Sequence, residues 1–151
     1  MRVGVISDTH GLLRPAALDL LRGCNHILHA GDVGDAEILD ALRSVAPLTA
    51  IRGNIDRIGP CAELPATEYL QLAGKAIYMV HDVNDLDIVP NKAGVAAVVS
   101  GHSHKPTIEW RGGVLYFNPG SAGPRRFSLP VCVGFLSLDP KGLQPEILRL
   151  V

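Results

Sequence analysis

Apolar residues along this chain gather into short, mostly unbroken runs, and six of these runs break at once into a polar cluster rich in Gly, Asp, Asn or His. Residues 3–7 run into Asp8-Thr9-His10, residues 26–30 into Gly31-Asp32, and residues 48–52 into Gly53-Asn54. Residues 76–80 run into His81-Asp82, residues 95–100 into Gly101-His102-Ser103-His104, and residues 114–117 into Asn118-Pro119-Gly120-Ser121. Continuous apolar runs of this length predict strands covered on both faces.

Helical patterns separate the first three runs. Residues 15–22 open on Pro15 and end against Gly23, the asymmetry of helix starts and stops. Residues 35–44 begin with an acidic turn, carry Ile38, Leu39 and Leu42 on one face, and stop before Pro47. A β-α-β-α-β front half implies right-handed crossovers and a parallel sheet. The second half predicts hairpins instead: 68–72 with 76–80 around Ala73-Gly74, and 107–110 with 114–117 around Arg111-Gly112-Gly113. Residues 131–138 and 146–150 predict a closing strand pair. The expected fold is α/β, with two packed mixed sheets and helices outside.

Composition narrows this picture. With 151 residues, 47% hydrophobic and 19% charged, the chain predicts a single globular domain over residues 1–151. Lys plus Arg number 14 and Asp plus Glu 15, so the basic excess of a dedicated nucleic-acid binder is absent. A small phosphorylated substrate stays compatible with that balance. The first apolar run is too short for a signal-peptide core, and no stretch approaches the ~20 apolar residues of a membrane span. Cys24, Cys61 and Cys132 lie far apart with no Cys-x-x-Cys pair, which predicts free thiols and a cytoplasmic setting.

Ligands bind beyond the carboxyl ends of strands in α/β sheets. The six polar clusters would meet on such an edge and bring together Asp8, His10, Asp32, Asn54, His81, His102 and His104. Oxygen and nitrogen donors without sulfur suit Mn, Fe, Co, Ni or Zn better than Mg or Ca; manganese is the first choice. Seven side chains with one bridging carboxylate give four protein bonds to each of two metals, leaving open positions for water and substrate. Two dications, two aspartates and a bridging hydroxide leave about +1, which favours an anionic phosphate.

Taken singly, each cluster has a plainer explanation as a helix cap or turn. Four of the six histidines standing at strand ends do not. His26 and His29, inside a strand pattern, are expected to be core or supporting residues. Asp56 is expected to serve its turn, and Asp82, Asp85 and Asp87 a solvated loop. Asn118, Gly120 and Ser121 are expected to brace the site, and Arg125 and Arg126 to be solvated, though within reach of a substrate phosphate.

In order and spacing, Asp8-x-His10, Gly31-Asp32, Gly53-Asn54, His81 and Gly101-His102-Ser103-His104 resemble the calcineurin-like metallophosphoesterase family. Asn118-Pro119-Gly120-Ser121 resembles its small bacterial and archaeal phosphodiesterases. The resemblance implies a four-layer αββα sandwich and a dinuclear site, with Asp8, His10 and His104 on one metal, Asn54, His81 and His102 on the other, and Asp32 bridging. It implies a hydrolase of small phosphodiesters whose nucleophile is a metal-bridging hydroxide, with Asp32, Asn54 and His81 acting through that hydroxide and through phosphate positioning. The alternatives are a phosphomonoesterase and a non-catalytic scaffold, since a retromer subunit of this family uses the fold to bind protein; a homo-oligomer stays open. Two positions depart from the family pattern. Ile55 stands where a histidine commonly contacts phosphate and protonates the leaving group, and Asp82 stands where glycine is common.

Overall fold

The computed structural model describes residues 1–150. Its strands are β1 (Arg2–Ile6), β2 (His26–His29), β3 (Leu48–Ala50), β4 (Thr67–Leu72), β5 (Lys75–Val80), β6 (Ala97–Val99), β7 (Thr107–Arg111), β8 (Val114–Asn118), β9 (Val131–Asp139) and β10 (Gly142–Leu150), with helices α1 (Pro15–Leu21) and α2 (Ala36–Arg43). They form two five-stranded sheets, ordered β10-β9-β1-β2-β3 and β4-β5-β6-β8-β7. β1, β2 and β3 run parallel, as do β5, β6 and β8, while β9, β10, β4 and β7 complete the sheets antiparallel.

The alternation along β1 explains the layering. Val3 and Val5 face the second sheet and pack with Leu28, Ile77, Met79, Val99 and Phe117, whereas Ile6 faces the helices with Ala17, Leu21, Ile27 and Leu42. α2 is fixed at its start by Asp35, whose carboxylate accepts the Glu37 N–H at 2.9 Å. Its Ile38, Leu39 and Leu42 are buried, and each such side chain contributes roughly 1.5–3 kcal/mol by leaving water.

The fold class is the expected one, with two differences of detail. The outer face of the second sheet is covered by the segment after β5, through Leu86, Ile88 and Val95, with only a single 3₁₀ turn at Val83–Asp85. β10 begins at Gly142 and carries Pro145, which an edge strand tolerates because a proline there leaves no ladder donor missing.

His29 lies on the helix-facing side of β2 and is fully buried. Its Nδ1 accepts the Gly31 N–H at 3.1 Å, so Nε2 carries the proton and donates to Thr9 Oγ1 at 3.1 Å; that hydroxyl donates in turn to the Val33 carbonyl at 2.8 Å. Burial lowers its pKa from 6.5 to about 4, the nearby Asp8 and Asp56 charges offsetting only part of the effect. Below pH 6.5 the unfolded chain takes up a proton that the folded one refuses, so this contribution falls away as the pH drops towards 4 and costs about 2 kcal/mol by pH 5. Unfolding free energies from urea titrations of the metal-free protein should fall between pH 7 and 5 by about 2 kcal/mol more in the wild type than in His29→Gln, a difference that removes the opposing contribution of His81. Parallel losses in the two proteins would refute it.

Candidate metal centre

Each of the seven predicted donors follows the carboxyl end of a parallel strand, and all converge where the two sheets meet. Asp8 and His10 follow β1, Asp32 follows β2, Asn54 follows β3, His81 follows β5, and His102 and His104 follow β6. Two clusters form, Asp8-His10-His104 and Asp32-His81-His102, with the potential ligand atoms of each within 4.8 Å of one another. Asn54 joins the second: its Oδ1 lies 3.1 Å from His81 Nε2 and 3.2 Å from His102 Nδ1. Carboxylate oxygens link the clusters: Asp32 Oδ2 is 3.4 Å from His10 Nε2 and 3.3 Å from His81 Nε2, and Asp8 Oδ1, 3.5 Å from His104 Nε2, also lies 3.8 Å from His81 Nε2.

The backbone at these positions is unusual. Asp8, His10, Asp32, His102 and His104 have φ of 56°, 46°, 59°, 71° and 62°, and they are five of the seven non-glycine residues with positive φ among the described residues. Such conformations are disfavoured for residues with a Cβ and cluster at functional sites, where the surrounding structure enforces them. The enforcement is visible. Asp8 N–H donates to the Gly31 carbonyl at 3.0 Å and His10 N–H to the Asp32 carbonyl at 2.9 Å, tying the β1 and β2 loops together. The buried Asp56 carboxylate accepts from the amides of Val33, Gly34 and Gly53, tying the β2 loop to the β3 loop. Asp56 is thus the structural residue its turn predicts.

Glycine at 53 and 101 allows the approach. A Cβ on Gly53 would fall on the Asp32 carboxylate and amide, and one on Gly101 on Ser7 Oγ and Asp8 Oδ2.

The donors are prepared on the side away from the clusters. His81 Nδ1 donates to the Ala30 carbonyl at 2.7 Å, which leaves Nε2 as the nitrogen facing Asp32 and Asn54. Asp8 Oδ2 accepts from Ser7 Oγ at 2.7 Å and from the His102 N–H at 3.0 Å, leaving Oδ1 free. Burial alone would lower the pKa of His81, but its bonds to Asp32 and the Ala30 carbonyl outweigh it and hold the pKa up at about 8. Burial pushes Asp32 upward, yet His81, the Ile55 N–H and His10 hold it below the usual carboxylate value. Burial lowers His104, and the charges of Arg126 and His10 lower it further.

The chemistry of the site fits divalent metal ions. Among the described residues, the buried polar side-chain atoms without a partner are Asp8 Oδ1, His10 Nε2 and His104 Nδ1, all in the first cluster. Buried polar atoms are nearly always paired, and a cation beside Asp8 Oδ1 and His10 Nε2, with His104 Nε2 3.5 Å from the same Asp8 oxygen, would pair the first two.

Around the donors, Asn118 donates to the Gly101 carbonyl at 2.9 Å and Ser121 Oγ donates to the Asp8 carbonyl at 3.0 Å, the bracing expected of them. Arg125 and Arg126 line a cleft of about 290 Å³ with His10, His104 and Pro124. Ser7 was hidden in the sequence as the last residue of an apolar run. Asp82 departs from the solvated loop expected of it: its side chain is 25% exposed, with Oδ2 3.7 Å from His102 Nε2.

Comparison with known proteins gives the family and the fold. The calcineurin-like phosphoesterase superfamily domain matches residues 1–141. A probable metallophosphoesterase of Methanothermobacter thermautotrophicus is 32% identical over 99% of this chain and 92% of its own. Two crystal structures share the fold. An archaeal phosphodiesterase superposes with a TM-score of 0.81 at 20% identity, covering 98% of this chain and 100% of that one. Vps29 of Entamoeba histolytica, in complex with zinc, superposes with a TM-score of 0.75 at 23% identity, covering 99% of each chain. Among the described residues, no helix is long and apolar enough to cross a membrane.

Proposed function

The chain belongs to the calcineurin-like phosphoesterase superfamily, and on that premise we propose that it hydrolyses phosphodiesters with a pair of divalent transition-metal ions. The observation that carries the proposal is the position of Asp32 Oδ2, 3.4 Å from a histidine of one cluster and 3.3 Å from a histidine of the other. In this proposal Asp8, His10 and His104 would hold one ion and Asn54, His81 and His102 the other, with Asp32 available to both. The donor set of carboxylates, one amide and four imidazoles supports Mn, Fe, Co, Ni or Zn, with Mn the first choice.

When bound, such an ion pair acidifies a water at neutral pH and offsets phosphate charge. The protein's part is orientation and the handling of anionic charge. The Ala30 carbonyl fixes the His81 tautomer, Asn54 Oδ1 sits between His81 and His102, and Arg125 and Arg126 line the approach to the first cluster, where they would meet a substrate oxygen. A cytoplasmic setting accompanies the proposal, supported by three unpaired, buried cysteines.

Ile55 follows Asn54 and is 42% exposed at the site. It carries no proton, so the leaving group departs on its own acidity. Aryl phosphodiesters should therefore be hydrolysed at least about 10²-fold faster than alkyl ones, the lower end of what a general acid contributes. Equal rates on the two classes would refute the absence of an acid.

A scaffold on the same fold would be marked by lost donors, and all seven converge here. Metal analysis of the purified protein decides between these functions when paired with hydrolysis assays after chelation and re-addition of Mn, Ni or Zn. Metal-dependent turnover of an aryl diester supports the phosphodiesterase. Turnover of only the corresponding monoester would make it a monoesterase, and two bound metals without turnover would favour the scaffold.

A further inference from the structure

His102 is the most open of the imidazole and carboxylate donors: its side chain is 44% exposed, against 0–18% for Asp8, His10, Asp32, His81 and His104. Its ring stands edge-on to His81, with centroids 5.2 Å apart, and directs Nδ1 at Asn54 Oδ1 from 3.2 Å. Nε2 therefore points out of the donor cluster, and Asp82 Oδ2 faces it at 3.7 Å. The Asp82 carboxylate is itself held, because its Oδ1 accepts the Asn84 N–H at 3.0 Å at the start of the Val83–Asp85 turn.

A neutral imidazole has one N–H, and only its bare nitrogen can bind a cation. Asp82, an acceptor with a negative charge, favours the tautomer with the proton on Nε2. With no cation present Asn54 Oδ1, an acceptor 3.2 Å away, draws the proton to Nδ1, and Asp82 opposes it by favouring the bare Nδ1 a cation needs, as a carboxylate behind a metal-binding histidine fixes its tautomer, its ring orientation and its basicity. His81 has the same support from a backbone carbonyl, while His102, at the rim, has no backbone carbonyl behind its ring. Resting on the dinuclear assignment above, we propose that Asp82 is a positioning residue for the second metal: it selects the Nε2–H tautomer of His102 and so sets the affinity of that metal position, with little effect on the other.

The test is calorimetric titration of the metal-free protein with Mn²⁺, comparing wild type with Asp82→Asn and Asp82→Gly. Asp82→Asn keeps an acceptor for the Asn84 N–H and removes only the charge. The wild type should bind two ions, and both variants should weaken one of the two affinities by about 10- to 100-fold while leaving the other within about threefold. Long-range ¹H–¹⁵N spectra of the metal-free protein provide a readout that a merely structural role would not move. Asp82→Asn should move the His102 proton from Nε2 towards Nδ1 relative to wild type, because Asn54 Oδ1 then competes against a neutral group. Two wild-type affinities in Asp82→Asn, an equal loss at both positions, or an unchanged tautomer would overturn the role of Asp82 and leave the dinuclear assignment standing. A wild type that binds fewer than two ions would remove that assignment and this inference with it.

Discussion

Replacing Asp32 by Asn should yield a folded protein that no longer retains two metal ions and hydrolyses an aryl phosphodiester about 10³-fold or more slowly. Asn tolerates the left-handed backbone at this position, where φ is 59°, and its side-chain oxygen still accepts the Ile55 N–H now bonded at 3.1 Å. What disappears is the negative oxygen standing between His10 and His81. A shared anionic ligand holds two like-charged ions close, and without it at least one ion loses several kcal/mol of binding; each 1.36 kcal/mol is a factor of ten in rate when that ion stabilises the transition state. Metal content after gel filtration and the initial rate measure the two effects separately. Wild-type values of both would exclude Asp32 from the centre.

The second large effect concerns a residue with no functional group. Gly53→Ala should destabilise the fold by about 3 kcal/mol, the cost of overpacking a rigid site, and should also weaken metal retention. The added methyl would meet the Asp32 amide nitrogen as well as its carboxylate, and main chain, here tied through the Asp32 carbonyl to the His10 N–H, cannot swing away as a side chain could. Relief requires the β2 and β3 loops to part, which moves Asp32 and Asn54 away from each other. Gly142→Ala, with nothing within 4 Å of its added carbon, is the control and should lie within about 0.5 kcal/mol of wild type. Urea denaturation of both variants, with and without Mn²⁺, reads the outcome; a stable Gly53→Ala that retains metal would mean the loops have slack.

The strands and the donor set were legible in the sequence for one reason: apolar runs mark buried strands, and the polar residue that ends such a run must stand at the sheet edge. That logic located Asp8, Asp32, Asn54, His81, His102 and His104 without any knowledge of how the sheets pack. It left β10 too short, because Pro145 reads as a break wherever edge position is unknown, and it gave the second sheet a helical cover where a loop supplies Leu86, Ile88 and Val95. The supporting contacts were harder to foresee. Ser7 and Asp8, His29 and Thr9, and Asp82 and His102 meet across 1, 20 and 20 positions, and the two longer contacts depend on how a loop lies against a neighbouring strand or loop. Left-handed histidines leave no trace in composition, since nothing about His10, His102 or His104 marks them as different from a histidine in an ordinary turn.

The division of donors between the sheets has a consequence for how the molecule comes apart. Every oxygen donor, Asp8, Asp32 and Asn54, comes from the sheet built around β1, and three of the four imidazoles, His81, His102 and His104, come from the one built around β5. On the proposed assignment, neither half of the sandwich supplies all the donors of either ion. A loosened state that keeps its strands but lets the layers slide would shed its ions before it lost any secondary structure, so cation content reports on the seam between the halves.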